Sequence, residues 1–90
     1  MADTVLRMAE PTDRQRLHGQ LVRRRREEME LSQVELAERA GLTQGTVSQI
    51  ESGVISTKDR TRIALAEALD TRVRLLFPYP DDITEEAAAS

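Results

Sequence analysis

Apolar residues between positions 14 and 77 recur at helical spacing, broken at intervals by glycine and by small polar residues. Leu17, Leu21 and Val22 fall at i, i+4 and i+5, and Met29 returns to nearly the same side, which predicts a helix from Asp13 or Arg14 to about Met29. Ser32-Gln33-Val34-Glu35 has the form of a capping box, in which a hydroxyl and a carboxylate satisfy each other's backbone N–H groups. The helix it opens carries Leu36, Ala37 and Ala40 and stops at Gly41. Thr43 is placed to cap a third helix from Gln44 to about Glu51, ended by Ser52-Gly53, with Val47 and Ile50 facing inward. A fourth helix is expected from Ser56 or Thr57, with Ile63, Leu65, Ala66, Ala68 and Leu69 as its apolar residues and Asp70-Thr71 as its end.

The two ends read differently. Residues 1–13 lack a firm period and contain Pro11, so a loose arm is expected there, with room for a short helix around Val5–Met8. Residues 14–78 form the folded and self-associating domain, and 79–90, acidic and then alanine-rich, are expected to be a disordered tail. From Arg72 to Phe77 the pattern alternates, with Val73, Leu75 and Phe77 on one side, as in a strand. Pro78 and Pro80 close the segment.

Charge sharpens this division. The chain carries −3 overall, yet residues 14–77 hold twelve of its thirteen basic residues and nine of its sixteen acids. A mildly basic middle therefore lies between acidic flanks, which fits a surface that meets phosphates without proving one. The run Arg23 to Arg26 followed by Glu27 and Glu28 reads mainly as a solvated helix face with i,i+4 charge pairs. There is no cysteine and one histidine, so no metal and no cofactor is expected. His18 has no nucleophile or carboxylate set near it in sequence, which argues against an enzyme. Phe77 and Tyr79 are the only aromatics, too few for the base-stacking platforms of RNA binders. No apolar run approaches the roughly 20 residues of a membrane span, and a cytoplasmic, nucleoid-associated protein of a bacterium or phage-infected host is expected.

The central chemistry lies in two short helices joined by Ala40-Gly41-Leu42-Thr43, the spacing of a DNA-reading helix-turn-helix. Val34, Leu36, Ala37, Leu42, Val47 and Ile50 are expected to form its shared core. With Val47 and Ile50 inward, Gln44, Gly45, Ser48, Gln49 and Ser52 point away: amides, hydroxyls and a glycine, with neither charge nor bulk. Such a face suits base edges better than it suits water. Gln44 and Gln49 can each pair bidentately with adenine, and the Thr46 methyl can meet a thymine methyl. The base-reading set is thus Gln44, Gly45, Thr46, Ser48 and Gln49. Phosphate contacts are expected from Ser32, Gln33, Thr43 and Ser52, and from Lys58, Arg60 and Arg62 just beyond.

Residues 17–69, and above all LSQVELAERAGLTQGTVSQIESG, resemble the lambda-repressor-like helix-turn-helix family of phage Cro and repressor proteins and xenobiotic-response-element-type regulators. The resemblance implies an all-α fold of four to five helices that binds a pseudo-palindromic operator as a homodimer, most simply as a repressor. It also implies a structural ion pair between Arg26 and Glu51. The sequence departs from the family at STKDRTR, where a proline and leucines are common, and this leaves the register of the fourth helix open. The family's fifth helix can be threaded onto 71–77. The alternation there nevertheless favours a strand pairing across a dimer, similar to kinase-neutralising antitoxins. Under either geometry Val73, Leu75, Leu76 and Phe77 are the expected dimer contacts. An antitoxin that binds a toxin protein and its own operator is the alternative reading.

Overall fold

A computed structural model describes residues 11–78. The expected turn of helix at Val5–Met8 and the acidic tail lie outside the described residues. Five helices follow one another: α1 Asp13–Glu28, α2 Gln33–Ala40, α3 Gln44–Ser52, α4 Asp59–Ala68 and α5 Val73–Leu76. No strand occurs among the described residues.

Local chemistry fixes the first three boundaries. Thr12 caps α1 through a box with Gln15, and Ser32 caps α2 through the expected box with Glu35 (Oγ from Glu35 N 3.0 Å, Oε1 from Ser32 N 2.9 Å). Those contacts to Ser32 hold the Glu35 carboxyl below its ordinary range. Gly41 closes α2 in the left-handed region at φ 70°, where a side chain would be strained, and the Leu42 N–H then returns to Ala37 O at 2.8 Å. Thr43 caps α3 by accepting from Thr46 N. Gly53 at φ 77° ends it, and a Cβ there would press on the backbone of Arg16 at 3.1 Å.

α1 packs on α3 and α5, α2 packs on α3 and α4, and α4 packs on α5. The shared core is Val22, Leu31, Leu36, Ala37, Val47, Ile50, Leu65, Ala66, Leu69, Leu76 and Phe77. Gly19 permits the α1–α3 contact, because a Cβ there would run into the carbonyl oxygens of Ile50 and Glu51. The buried face of α1 is therefore His18, Gly19 and Val22, with Leu17 and Leu21 only half-buried at its margin. Helix rotation is set by where the backbone can approach, not by where the leucines fall.

Three further expectations are corrected. Residues 73–76 are a helical turn, not a strand. Val73, Leu76 and Phe77 sit at i, i+3 and i+4, so helix lets Leu76 and Phe77 both enter the core and Val73 pack against it. A strand would have sent Leu76 outward. Second, α4 begins at Asp59, with Lys58 as its uncapped N-cap. The Thr57 hydroxyl is engaged instead with Arg62, accepting from its Nε at 3.1 Å. Third, Val34 and Ile63, expected inside, are 52% and 50% exposed. Each lies two residues, about 200° of helical rotation, from a fully buried leucine (Leu36 and Leu65) and so on the outer side of its helix.

Candidate nucleic-acid interface

The side chains that would read bases stand on α3. Gln44, Gly45 and Gln49 are exposed, Ser52 is exposed at the far end, and Thr46 and Ser48 are half-buried beside them. Val47 and Ile50 are buried on the opposite side, so the expected orientation of α3 holds. Its first turn presents backbone N–H groups that no helical carbonyl can reach, and the Thr43 hydroxyl, which also shares a hydrogen bond with Thr46 Oγ1 at 2.9 Å, takes that of Thr46.

Behind this face runs a continuous polar chain. Arg26 and Glu51 form a two-pronged pair (Nε–Oε2 2.6 Å, Nη2–Oε1 3.0 Å) in which the Glu51 side chain is only 4% exposed. Arg26 Nη1 donates to Leu31 O at 2.7 Å, and the hydrogen bond and charge of Glu51 raise the arginine's already high pKa. Glu51 Oε1 also accepts from Gln33 Nε2 at 3.0 Å. Gln33 Oε1 then accepts from Gln44 Nε2 at 2.7 Å. Gln44, expected from the sequence to read a base, is thereby tied, through the first residue of α2, to an ion pair inside the fold. The Gln33–Gln44 bond was not anticipated in the sequence. The signal was there: each is the first residue of its helix, and the tight turn brings those two helix starts together.

The basic residues divide. Lys58 and Arg60 are exposed at the start of α4. Arg62, expected on phosphate, is instead 8% exposed, bonded to Thr57, with its guanidinium 5.3 Å from the Phe77 ring centroid. It holds the loop and the C-terminal turn together and is a structural residue. Arg25 likewise turns inward to cap α4, donating to Leu69 O at 2.9 Å and Asp70 O at 3.2 Å. Arg23 remains a surface residue paired with Glu27. Among the phosphate candidates on α2, Ser32 is exposed and Gln33 is half-buried within the chain described above.

Of the expected dimer contacts, Leu76 and Phe77 are 3% and 1% exposed, packed into the core of their own protomer, and offer little surface to a partner. Phe77 stacks edge-on to His18 at 5.3 Å, and His18 Nε2 donates to Pro78 O at 2.8 Å. Burial lowers the His18 pKa, assisted by Arg62 and Arg14, against the opposing effect of the Pro78 bond. Leu75 remains outside at 60% exposure, beside a shallow groove formed with Leu21, Arg24 and Thr71.

Comparison with known proteins agrees with this geometry. A helix-turn-helix family profile matches residues 22–76. The uncharacterized HTH-type transcriptional regulator y4dL of Sinorhizobium fredii is 39% identical over 75 residues, and the match takes in 79% of this chain and 38% of that protein. The chain thus spans well under half the length of that relative. The restriction-modification controller protein C.AhdI of Aeromonas hydrophila superposes with a TM-score of 0.68 at 35% identity, over 70% of this chain and 96% of its own. The clp gene regulator ClgR of C. glutamicum superposes with a TM-score of 0.65 at 25% identity, over 89% and 94% respectively. With its capped α2, glycine turn and amide-bearing α3 all inside the matched span, the chain belongs to the helix-turn-helix family.

Proposed function

We propose that this chain is a transcriptional regulator, not an enzyme, that places α3 in the major groove of a specific duplex sequence. The observation that carries the reading is the character of the outer face of α3: two amides, hydroxyls and a glycine, held in place by the Gln33–Gln44 bond. Gln44 reads an adenine through N6 and N7, and Thr46, Ser48 and Gln49 meet neighbouring base edges. Ser32, Gln33, Thr43, Ser52, Lys58 and Arg60 hold the phosphates on either side. Both solved neighbours and the curated relative are named as regulators, which supports the same assignment.

The regulator acts as a homodimer on a two-fold symmetric operator, and occupying a promoter there makes it a repressor. The outer face of α5, with Leu75 exposed beside Leu21, is the surface proposed for the second copy. Residues 73–76 are helical, so they lend no support to the alternative of a toxin-neutralising partner. Selection from random duplexes at about physiological salt tests the reading. Enrichment of a symmetric motif with half-sites about 10 base pairs apart is expected. Enrichment of an asymmetric motif would remove the dimer, and no enrichment would remove the whole assignment.

A further inference from the structure

Three of the four glycines are there because the fold needs them. Gly41 and Gly53 have positive φ, and Gly19 lies against the carbonyl oxygens of α3. Gly45 meets none of these requirements. It sits in the first turn of α3 with no positive φ, it is exposed, and a Cβ built on it has no atom within 4 Å. Glycine in a helix is less stable than alanine because it loses more backbone freedom on folding. The fold would therefore be better served by almost any small side chain at this position.

We infer that Gly45 is a specificity-determining residue, the point where an operator base edge packs directly on the bare backbone of α3. This rests on the reading of α3 as the groove-entering helix. Its neighbours constrain the idea usefully. Gln44 is held sideways by Gln33, and the half-buried Thr46 is turned toward Thr43, so position 45 is where the first turn has no side chain between backbone and solvent. The absence of a Cβ lets the first turn sink toward the base pair, within van der Waals contact of whatever group that pair projects into the groove. An added methyl group would hold the whole turn away, and it would shift Gln44 from bidentate distance at the same time. Gly45 thus selects by excluding its own side chain.

Gly45→Ala separates this from a structural role, because the two predict opposite signs. Thermal unfolding and binding to the operator found by selection are measured on the full chain, beside Gln44→Ala and a random duplex of equal length. The expected result is a Tm raised by about 3–6 °C, operator affinity lowered at least about tenfold, and unchanged binding to the random duplex. Repeating the selection with Gly45→Ala should lose preference at one half-site position adjacent to the one that Gln44→Ala relaxes. A lowered Tm would assign the glycine to the fold and overturn the inference. Operator affinity equal to the parent's would overturn it too, while loss of specificity in Gln44→Ala would leave the regulatory reading standing. If the parent chain itself enriches no duplex, both fall together.

Discussion

The α2–α3 unit and the segment from Ser56 to Pro78 are both short, polar-rich stretches closed around a few apolar side chains, yet they are held in different ways. In α2–α3 each boundary is set by a neighbour three or four residues away: Ser32 with Glu35, Gly41 with Ala37 and Glu38, Thr43 with Thr46. In the C-terminal segment most of the controlling contacts come from further along the chain. Arg25 caps α4 from α1, Arg62 ties Thr57 to Phe77, and His18 holds Phe77 and Pro78. Local signals are visible in a sequence, and distant ones become visible only once the core is assembled. This explains why the boundaries of the first region read correctly and those of the second do not.

The largest expected effect tests where the two regions meet the core. Glu51→Ala leaves the Arg26 guanidinium buried without its carboxylate and should lower unfolding free energy by about 3–5 kcal/mol. Arg26→Met combined with Glu51→Leu should recover most of that loss in denaturant melts. A single substitution costing under about 1 kcal/mol would show that the pair is not buried in solution.

Phe77→Ala comes next, with a loss of about 3–5 kcal/mol from an emptied core position. At dilutions where the protein is monomeric, Leu75→Ala should change stability by no more than about 0.5 kcal/mol, as a surface position does. Equal losses at 75 and 77 would restore the alternating, strand-like reading. If Leu75→Asp leaves Tm at high dilution unchanged but shifts sedimentation from dimer to monomer, α5 is the surface of self-association.

Below the losses at the buried positions comes the effect on recognition. Gln44→Ala should weaken operator binding by about 1–3 kcal/mol and relax one base pair per half-site. Gln33→Ala leaves Gln44 in place but untethered, so its penalty should be partial and strongly reduced in a Gln33/Gln44 double substitution. Losses of base preference that add in the double substitution would mean that the hydrogen bond does not position the reader, since a phosphate contact of Gln33 weakens binding to all sequences alike.

The mildest test is of pH. Burial depresses the His18 pKa, so the folded state resists the proton that the unfolded chain accepts near the ordinary value of 6.5. The stability associated with neutral His18 is complete above that pH and is lost as pH falls toward the lower folded value. Tm should therefore decline between about pH 7.5 and 5.5, and His18→Gln should flatten the decline. A parent Tm that is level across that range would contradict the burial of the ring. The Glu35 effect has the same sign but lies at more acid pH, since its ordinary value is already 4.5 and Ser32 lowers it further.

Most of the site was legible because it is built from caps, a glycine turn and an amphipathic helix, and each has a short-range signature. The Arg26–Glu51 pair was available only through family resemblance, since nothing local links residues 25 positions apart. What failed was tertiary in origin. The apolar run 73–77 satisfies a period of two and a period of three to four equally well, and only the space beside His18 and Arg62 chooses between them. Arg62 was misplaced for the related reason that an arginine near a DNA-facing loop looks like a phosphate ligand until an aromatic ring is found beneath it.

The chain of bonds from Arg26 through Glu51 and Gln33 to Gln44 bears on how such a protein can be retargeted. Transplanting the outer residues of α3 onto a relative would carry Gln44 but leave behind the α2 glutamine that aims it. On the proposed reading of Gln44 as a base reader, the transferable unit is discontinuous: positions 26, 33, 44 and 51 travel as a set, and a graft confined to one helix delivers the reader without its mount.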